Sequence, residues 1–261
     1  MGYSNANSAD LTKLQTFPRD RFTGLPDWVA EGCDAALDHC LNQAQGHSAR
    51  KRLEFESLAS EDHATWVVMR FLQRQGMLDS AFGCKAVEPV MLIWGVPVPN
   101  TPRGSELRSK IVSILRGLHE QEGWFTEPDV ILDFERYGLV IVEAKLRSRN
   151  EIKKPQYSGW HRYLNDLTFR DAELAKCTGR YQLVRNWRLG LELAQNRPFK
   201  LVNLAPVFDC KEREMLAKLR LSFRTSRKHR FLLRRWDQML GSSHPPSWLV
   251  EYSRKRGLLS K

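Results

Sequence analysis

Three ionisable residues stand at the ends of two short apolar runs in "TEPDVILDFERYGLVIVEAK", residues 126–145: Asp129 directly after a proline, and Glu143 and Lys145 on either side of Ala144. Asp129–Phe134 and Leu139–Lys145 are apolar, β-branched segments joined by the polar "ERYG" with Gly138, the pattern of a short hairpin. With the turn near Arg136 and Tyr137, paired positions sum to about 272 to 274, which sets Asp129 opposite Glu143, Ala144 or Lys145. Side chains alternate along a strand, so Glu143 and Lys145 share one face and Ala144 takes the other. Two carboxylates held this close repel unless one is protonated or a cation lies between them, and a divalent cation with oxygen ligands is the usual solution. Lys145 compensates part of that charge. A Glu-x-Lys pair at the end of an ordinary surface hairpin is the simpler reading, and the Pro-Asp opening of the partner strand weighs against it.

The elements that hold these residues follow from the same stretch. Leu139-Val140-Ile141-Val142 does not alternate apolar with polar, so it reads as a strand covered on both faces, inside a sheet. At this point the chain resembles the PD-(D/E)xK superfamily, the restriction-endonuclease-like nucleases. "EPDVIL" is similar to the second core strand with its acid, and "VIVEAK" to the third strand with its Glu-x-Lys. The resemblance covers roughly residues 58–206. It implies an α/β fold with a restriction-endonuclease-like core of order αβββαβ, a central mixed sheet flanked by helices, here with extra N- and C-terminal helices. The implied activity is Mg²⁺-dependent hydrolysis of DNA phosphodiester bonds, with Mn²⁺ able to substitute. Asp129, Glu143 and the backbone carbonyl of Ala144 would hold the metal, and Glu61 would contribute if two ions bind. Lys145 would position the attacking water and neutralise developing charge. The neighbouring acids push its pKa upward, which argues against a role as base.

The flanking sequence supplies the expected helices. In "ASEDHATWVVMRFLQRQG", Ser60 takes an N-cap position, Glu61 and Asp62 fall in the first turn, Ala64, Val67, Val68, Phe71 and Leu72 recur at helical spacing, and Gly76 stops the helix. Glu61 shares a stripe with Thr65, Val68 and Leu72, at the border of the buried face. The resemblance makes it a site acid; an acid favourably placed at a helix N-terminus is the equal alternative. Glu106 is a rival, opening "SELRSKIVSILRGLHEQ" with Leu107, Ile111, Ile114, Leu115 and Leu118 on one side. Glu61 is preferred because "VMLIWGV", residues 90–96, follows it as a first strand. Downstream, "GRYQLVRNWRLGLELAQ" repeats Val184, Trp187, Leu191 and Ala194 at helical spacing, and "RPFKLVNLAP" reads as a strand ended by Pro206. "YQLVRNW" resembles the Gln-bearing motif of some superfamily branches, which nominates Gln182, with Arg185 and Asn186 behind it. Gln156 competes from a basic insertion that precedes no clear strand.

Charge is divided unevenly. Residues 1–144 hold 14 Lys and Arg against 20 Asp and Glu, a net −6, and residues 145–261 hold 27 against 10, a net +17. The basic half includes Arg147, Arg149, Lys153 and Lys154 just past the Glu-x-Lys, Arg185, and the run "KLRLSFRTSRKHRFLLRRW" with Arg227, Lys228 and Arg230. Attached to a carboxylate–lysine site, it favours DNA as partner, ahead of RNA. Phe223, Phe231 and Trp236 within the run read as core. Three segments are expected: 1–57, an N-terminal helical and loop extension, polar over its first 25 residues or so; 58–206, the nuclease core; and 207–261, a basic helical extension with "GSSHPPSW" as linker to a short tail. Double-strand cleavage by one small site would call for a homodimer or a larger complex. "MGYSNANSAD" has no signal-peptide pattern and no apolar run approaches the roughly twenty residues that span a bilayer, so a cytoplasmic, DNA-associated protein with no membrane contact is expected. Five cysteines without CxxC spacing imply reduced thiols and no zinc site, and the histidines, His63 and His161 among them, show no metal-binding pairing.

Overall fold

Strands that are apolar on both sides need helices above and below, and the chain supplies them. The computed structural model describes residues 22–42, 47–55, 57–84, 87–146, 150–165, 167–241 and 243–259. The described chain begins with α1 (Asp27–Ala30), α2 (Cys33–Asp38), α3 (His47–Phe55), α4 (Glu61–Arg74) and α5 (Leu78–Phe82), followed by β1 (Val90–Ile93), β2 (Val96–Pro97) and α6 (Pro102–Gly117). Next come the hairpin strands β3 (Val130–Asp133) and β4 (Leu139–Ala144), then α7 (Ala172–Thr178), α8 (Tyr181–Ala194) and β5 (Phe199–Ala205). The last elements are α9 (Cys210–Ser222), β6 (His229–Arg235), α10 (Trp236–Gly241) and α11 (Ser247–Arg256). The fold is α/β: one mixed sheet of six strands in the order β2-β1-β3-β4-β5-β6, flanked by helices. The pairs β2–β1, β1–β3 and β3–β4 are antiparallel, and β4–β5 and β5–β6 are parallel.

Alternation along the strands divides the core in two. Val130, Leu132, Val140, Val142 and Ala144 pack with residues of α4, α5, α10 and α11, while Ile131, Leu139, Ile141 and Leu201 pack with α6, α8 and α9. β4 is buried along its whole length, as a central strand must be. The helix starting at Glu61 is capped as its sequence requires, with the Ser60 hydroxyl accepting the His63 amide at 3.1 Å. Gly138 ends the β3–β4 turn at φ +138°, where a Cβ would lie 2.8 Å from the Pro198 carbonyl, so only glycine lets β5's entry approach the hairpin.

Three expectations need correction. Residues 90–96 are not one strand: Trp94 and Gly95, both at positive φ, turn the chain so that β1 and β2 form a tight hairpin. The segment after residue 206 is not simply helical, because Phe231 faces the core and "HRFLLRR" adds β6 in parallel to β5, extending the sheet. The last residues of "GSSHPPSW" and the stretch beyond it form a packed helix, not a linker and a short tail. α11 buries Leu249, sets Trp248 edge-on to Trp28 and Phe71, and offers the Tyr252 hydroxyl to His63 Nδ1 at 2.6 Å. His63 is thus a packed helix-face residue. Phe223, Phe231 and Trp236 are core, each at most 2% exposed. Residues 1–21, most of the polar opening, lie outside the described residues. No described helix is long and apolar enough to cross a membrane.

Candidate active site

The hairpin register sets the site. Val130 pairs with Val142, so the ladder extrapolates to Asp129 beside Glu143, and the Asp129 carboxylate accepts the Ala144 amide through Oδ2 at 2.6 Å. Glu143 is buried, and its two oxygens are held separately: Oε1 accepts from Lys145 Nζ at 2.7 Å and Oε2 from Asn186 Nδ2 of α8 at 2.8 Å. From the other side of the sheet, Glu61 at the first turn of α4 accepts the Leu146 amide through Oε2 at 2.7 Å and places Oε1 3.8 Å from Lys145 Nζ. The alternation rule put Glu143 and Lys145 on one face; the ammonium, beyond the last strand residue, reaches acids from both faces. Asp129, Glu143, Lys145, Ala144 and Glu61 therefore meet at one end of β3 and β4.

Burial and the Glu143 charge hold the Asp129 carboxyl well above the usual range for an aspartate. Burial works against the charged form of Lys145, but Glu143, Asp129 and Glu61 outweigh it and raise its pKa, so the ammonium stays protonated at any ordinary pH. A second lysine, absent from the sequence expectations, stands beyond Asp129. Lys51 of α3 pairs with Asp62 at 3.3 Å and Glu127 at 3.1 Å, lies 4.9 Å from the Trp94 ring centre, and is likewise raised by Asp62, Glu127 and Asp129 against the cost of burial. Glu127 also accepts the Asn42 amide at 2.9 Å. Five carboxylates, Glu61, Asp62, Glu127, Asp129 and Glu143, thus neighbour two ammonium groups.

Further residues hold this arrangement. Asn203 of β5 donates to the Glu143 carbonyl at 3.2 Å and meets Asn150, which donates to Glu212 at 2.7 Å; Glu212 also pairs with Arg180. Trp236 donates its indole N–H to the Lys145 carbonyl at 2.9 Å. Glu120 accepts from Arg185 at 2.8 Å, and Arg185 reaches the Thr126 carbonyl and, at 2.9 Å, Asn186 Oδ1. Arg185 is fully buried, which corrects its expected role: it is a core cation paired to Glu120 and unavailable to a nucleic acid. On α8 the residue that touches Glu143 is Asn186. Gln182, one turn earlier and half-buried, makes no side-chain hydrogen bond among the described residues. Gln156 is exposed, and Glu106 is exposed and paired with Lys110, away from the cluster.

The basic candidates are spread out. Arg147 and Arg149 lie outside the described residues, while Lys153 and Lys154 follow in the loop after β4, Lys154 exposed. Arg227, Lys228 and Arg230 are exposed, but the register aligns His229 with Phe199 and Leu139, and Arg234 with Leu204 and Ala144. They therefore stand toward the opposite end of the parallel strands from Glu143, Arg230 about 10 Å and Lys228 about 17 Å away along the strands at ~3.3 Å per residue. Among the described residues, no three His, Cys, Asp or Glu side chains form a ready metal-ligand group. Against models of protein families, curated proteins and solved structures, the chain shows no match.

Proposed function

We propose that the chain is a metal-dependent nuclease that hydrolyses phosphodiester bonds of DNA on a restriction-endonuclease-like core. The observation that carries this reading is the meeting of Asp129, Glu143, Lys145 and Glu61 at one end of the β3–β4 hairpin. The succession α4, β1, β3, β4, α8, β5, with α5 inserted after α4, β2 and α6 after β1, and α7 before α8, accords with the expected αβββαβ order. The donor set is chemically suited to Mg²⁺: all hard oxygens, with more carboxylates than ammonium groups and an Asp129 whose ionisation is held back by burial and by Glu143. Asp129, Glu143, the Ala144 carbonyl and Glu61 would hold the ion, which would stabilise phosphoryl charge and acidify a bound water. Lys145, too strongly protonated to act as a base, orients the water and stabilises negative charge near the scissile phosphate. Asn186 and Asn203 keep Glu143 in place by its side chain and its backbone. Assembly as a homodimer, or in a larger complex, accompanies double-strand cleavage in this reading.

A second reading, a non-catalytic nucleic-acid-binding module of the same fold, is favoured by one observation. Lys145 Nζ lies between Glu143 and Glu61, and no three-acid group is ready for a metal among the described residues. The two readings part on plasmid DNA with Mg²⁺ or Mn²⁺. Cutting that needs the metal and disappears in Asp129→Ala and Lys145→Ala supports the nuclease; a gel shift without cutting supports the module.

A further inference from the structure

A cavity of about 340 Å³ opens beside the first turn of α8, walled by Trp124, Tyr157, Tyr163, Tyr181, Lys153 and Arg162. Its size falls in the range of small-ligand sites. Trp124 is 62% exposed and Tyr157 40%, so two aromatic side chains are open to solvent, while Tyr163 and Tyr181 are buried beneath them. Tyr181 meets Tyr157 and Tyr163 edge-on, with ring centres 5.1 and 5.4 Å apart, which fixes the tyrosines relative to one another. A Cβ on Gly159 would collide with the Tyr157 ring and lie 2.8 Å from the Tyr181 hydroxyl, so glycine is what permits this packing. Cations complete the wall. Lys153, paired at 2.5 Å with Glu151 of the same wall, stands 5.2 Å from the Tyr157 ring centre, and the exposed Arg162 makes no ion pair among the described residues.

The cavity adjoins the carboxylate cluster. Its wall includes Glu120 and Thr126, both bonded to Arg185, which is bonded through Asn186 to Glu143. Tyr181 opens the helix that connects β4 to the parallel β5, which places it at the carboxyl end of β4, where Glu143 lies. Open aromatic faces beside lysine and arginine are the combination that holds single-stranded nucleic acid, the rings stacking on bases and the cations taking phosphates.

We propose that this cavity receives one unstacked base of a nucleic-acid strand whose backbone passes the Asp129–Glu143 cluster. The proposal rests on the nucleic-acid reading above and makes the substrate a strand with an unpaired or extruded base. The test is binding of a dye-labelled oligo(dT) single strand and of a blunt duplex to the full chain, followed by fluorescence anisotropy in EDTA so that no cutting intervenes. Trp124→Ala and Tyr157→Ala should each weaken single-strand binding about 5- to 100-fold, the range of one base stack. Trp124→Phe, which keeps an aromatic face, should retain most of the affinity. On a strand of abasic residues the wild type should already be weak, and the alanine variants should weaken it no further. Wild-type affinity in both alanine variants, equal losses on the abasic strand, or no single-strand binding by the wild type would each overturn the proposal. The plasmid assay separates the two ideas. Metal-dependent cutting with unaltered binding in the pocket variants sinks the pocket alone, and pocket-dependent binding without cutting sinks the nuclease alone.

Discussion

Asp129 is the residue on which charge and stability conflict most. Its raised pKa means that the folded protein holds this proton more tightly than the unfolded chain, so the stability it contributes is greatest at low pH and is lost as pH rises through the folded-state value. Asp129→Asn removes that conflict. The metal-free variant should melt about 2–4 °C above the wild type at pH 8 and show no such gain at pH 4. If Mg²⁺ binds at this cluster, it should raise the melting temperature of the wild type at pH 8 and leave the variant unmoved. Thermal scans in EDTA and in excess Mg²⁺ check both expectations. Asp129, Glu143 and Lys145 were legible because two-residue alternation and a short turn determine their positions relative to one another. Lys51 was not, since it lies 78 positions before Asp129 in a helix with no chemical pattern, and only the packed fold brings it to Asp62 and Glu127. Asn186 stands where Gln182 was expected, and Arg185 is a core cation, for a related reason. A helix period gives the face a residue shares, but which member of the face reaches a carboxylate depends on the depth of the helix against β4.

Among the elements, α4, α8, β4 and β5 were legible because caps, periodicity and unbroken apolar runs all agreed. The failures lay where a short signal was decided by tertiary cover. β6 carries three arginines among its seven residues, besides His229, and only Phe231 and its pairing to β5 mark it as a strand. As an outer strand it is well served by that composition, since charge discourages pairing with another chain. α11 follows a Pro-rich stretch that reads as a linker, yet Leu249 is fully buried against the layer containing α4. Leu249→Ala should cost about 2–5 kcal/mol, the usual loss for a buried leucine, whereas a loose tail would show no change in the urea midpoint.

For the whole molecule, the +17 of the second half is not gathered at the carboxylates. Part of it is internal, as in Arg180 and Arg185, and part crowns the far end of β6 at Arg227, Lys228 and Arg230. Composition could show the excess of cations but not which end of the sheet would carry them. If a duplex lies along the sheet and reaches both ends, Lys228→Glu with Arg230→Glu should weaken its binding and reduce the slope of log affinity against log salt by about two. An unchanged slope in a KCl titration would place the duplex elsewhere. The Trp236 indole, anchored on the Lys145 carbonyl, also has a bearing on synthesis. A ribosome builds this chain from the amino end, so Glu61 and the hairpin emerge long before the tryptophan that pins their lysine. The nascent protein thus carries its acids without the final brace while the later part of the chain is made, and the cluster reaches its finished form only after the last strand has been made.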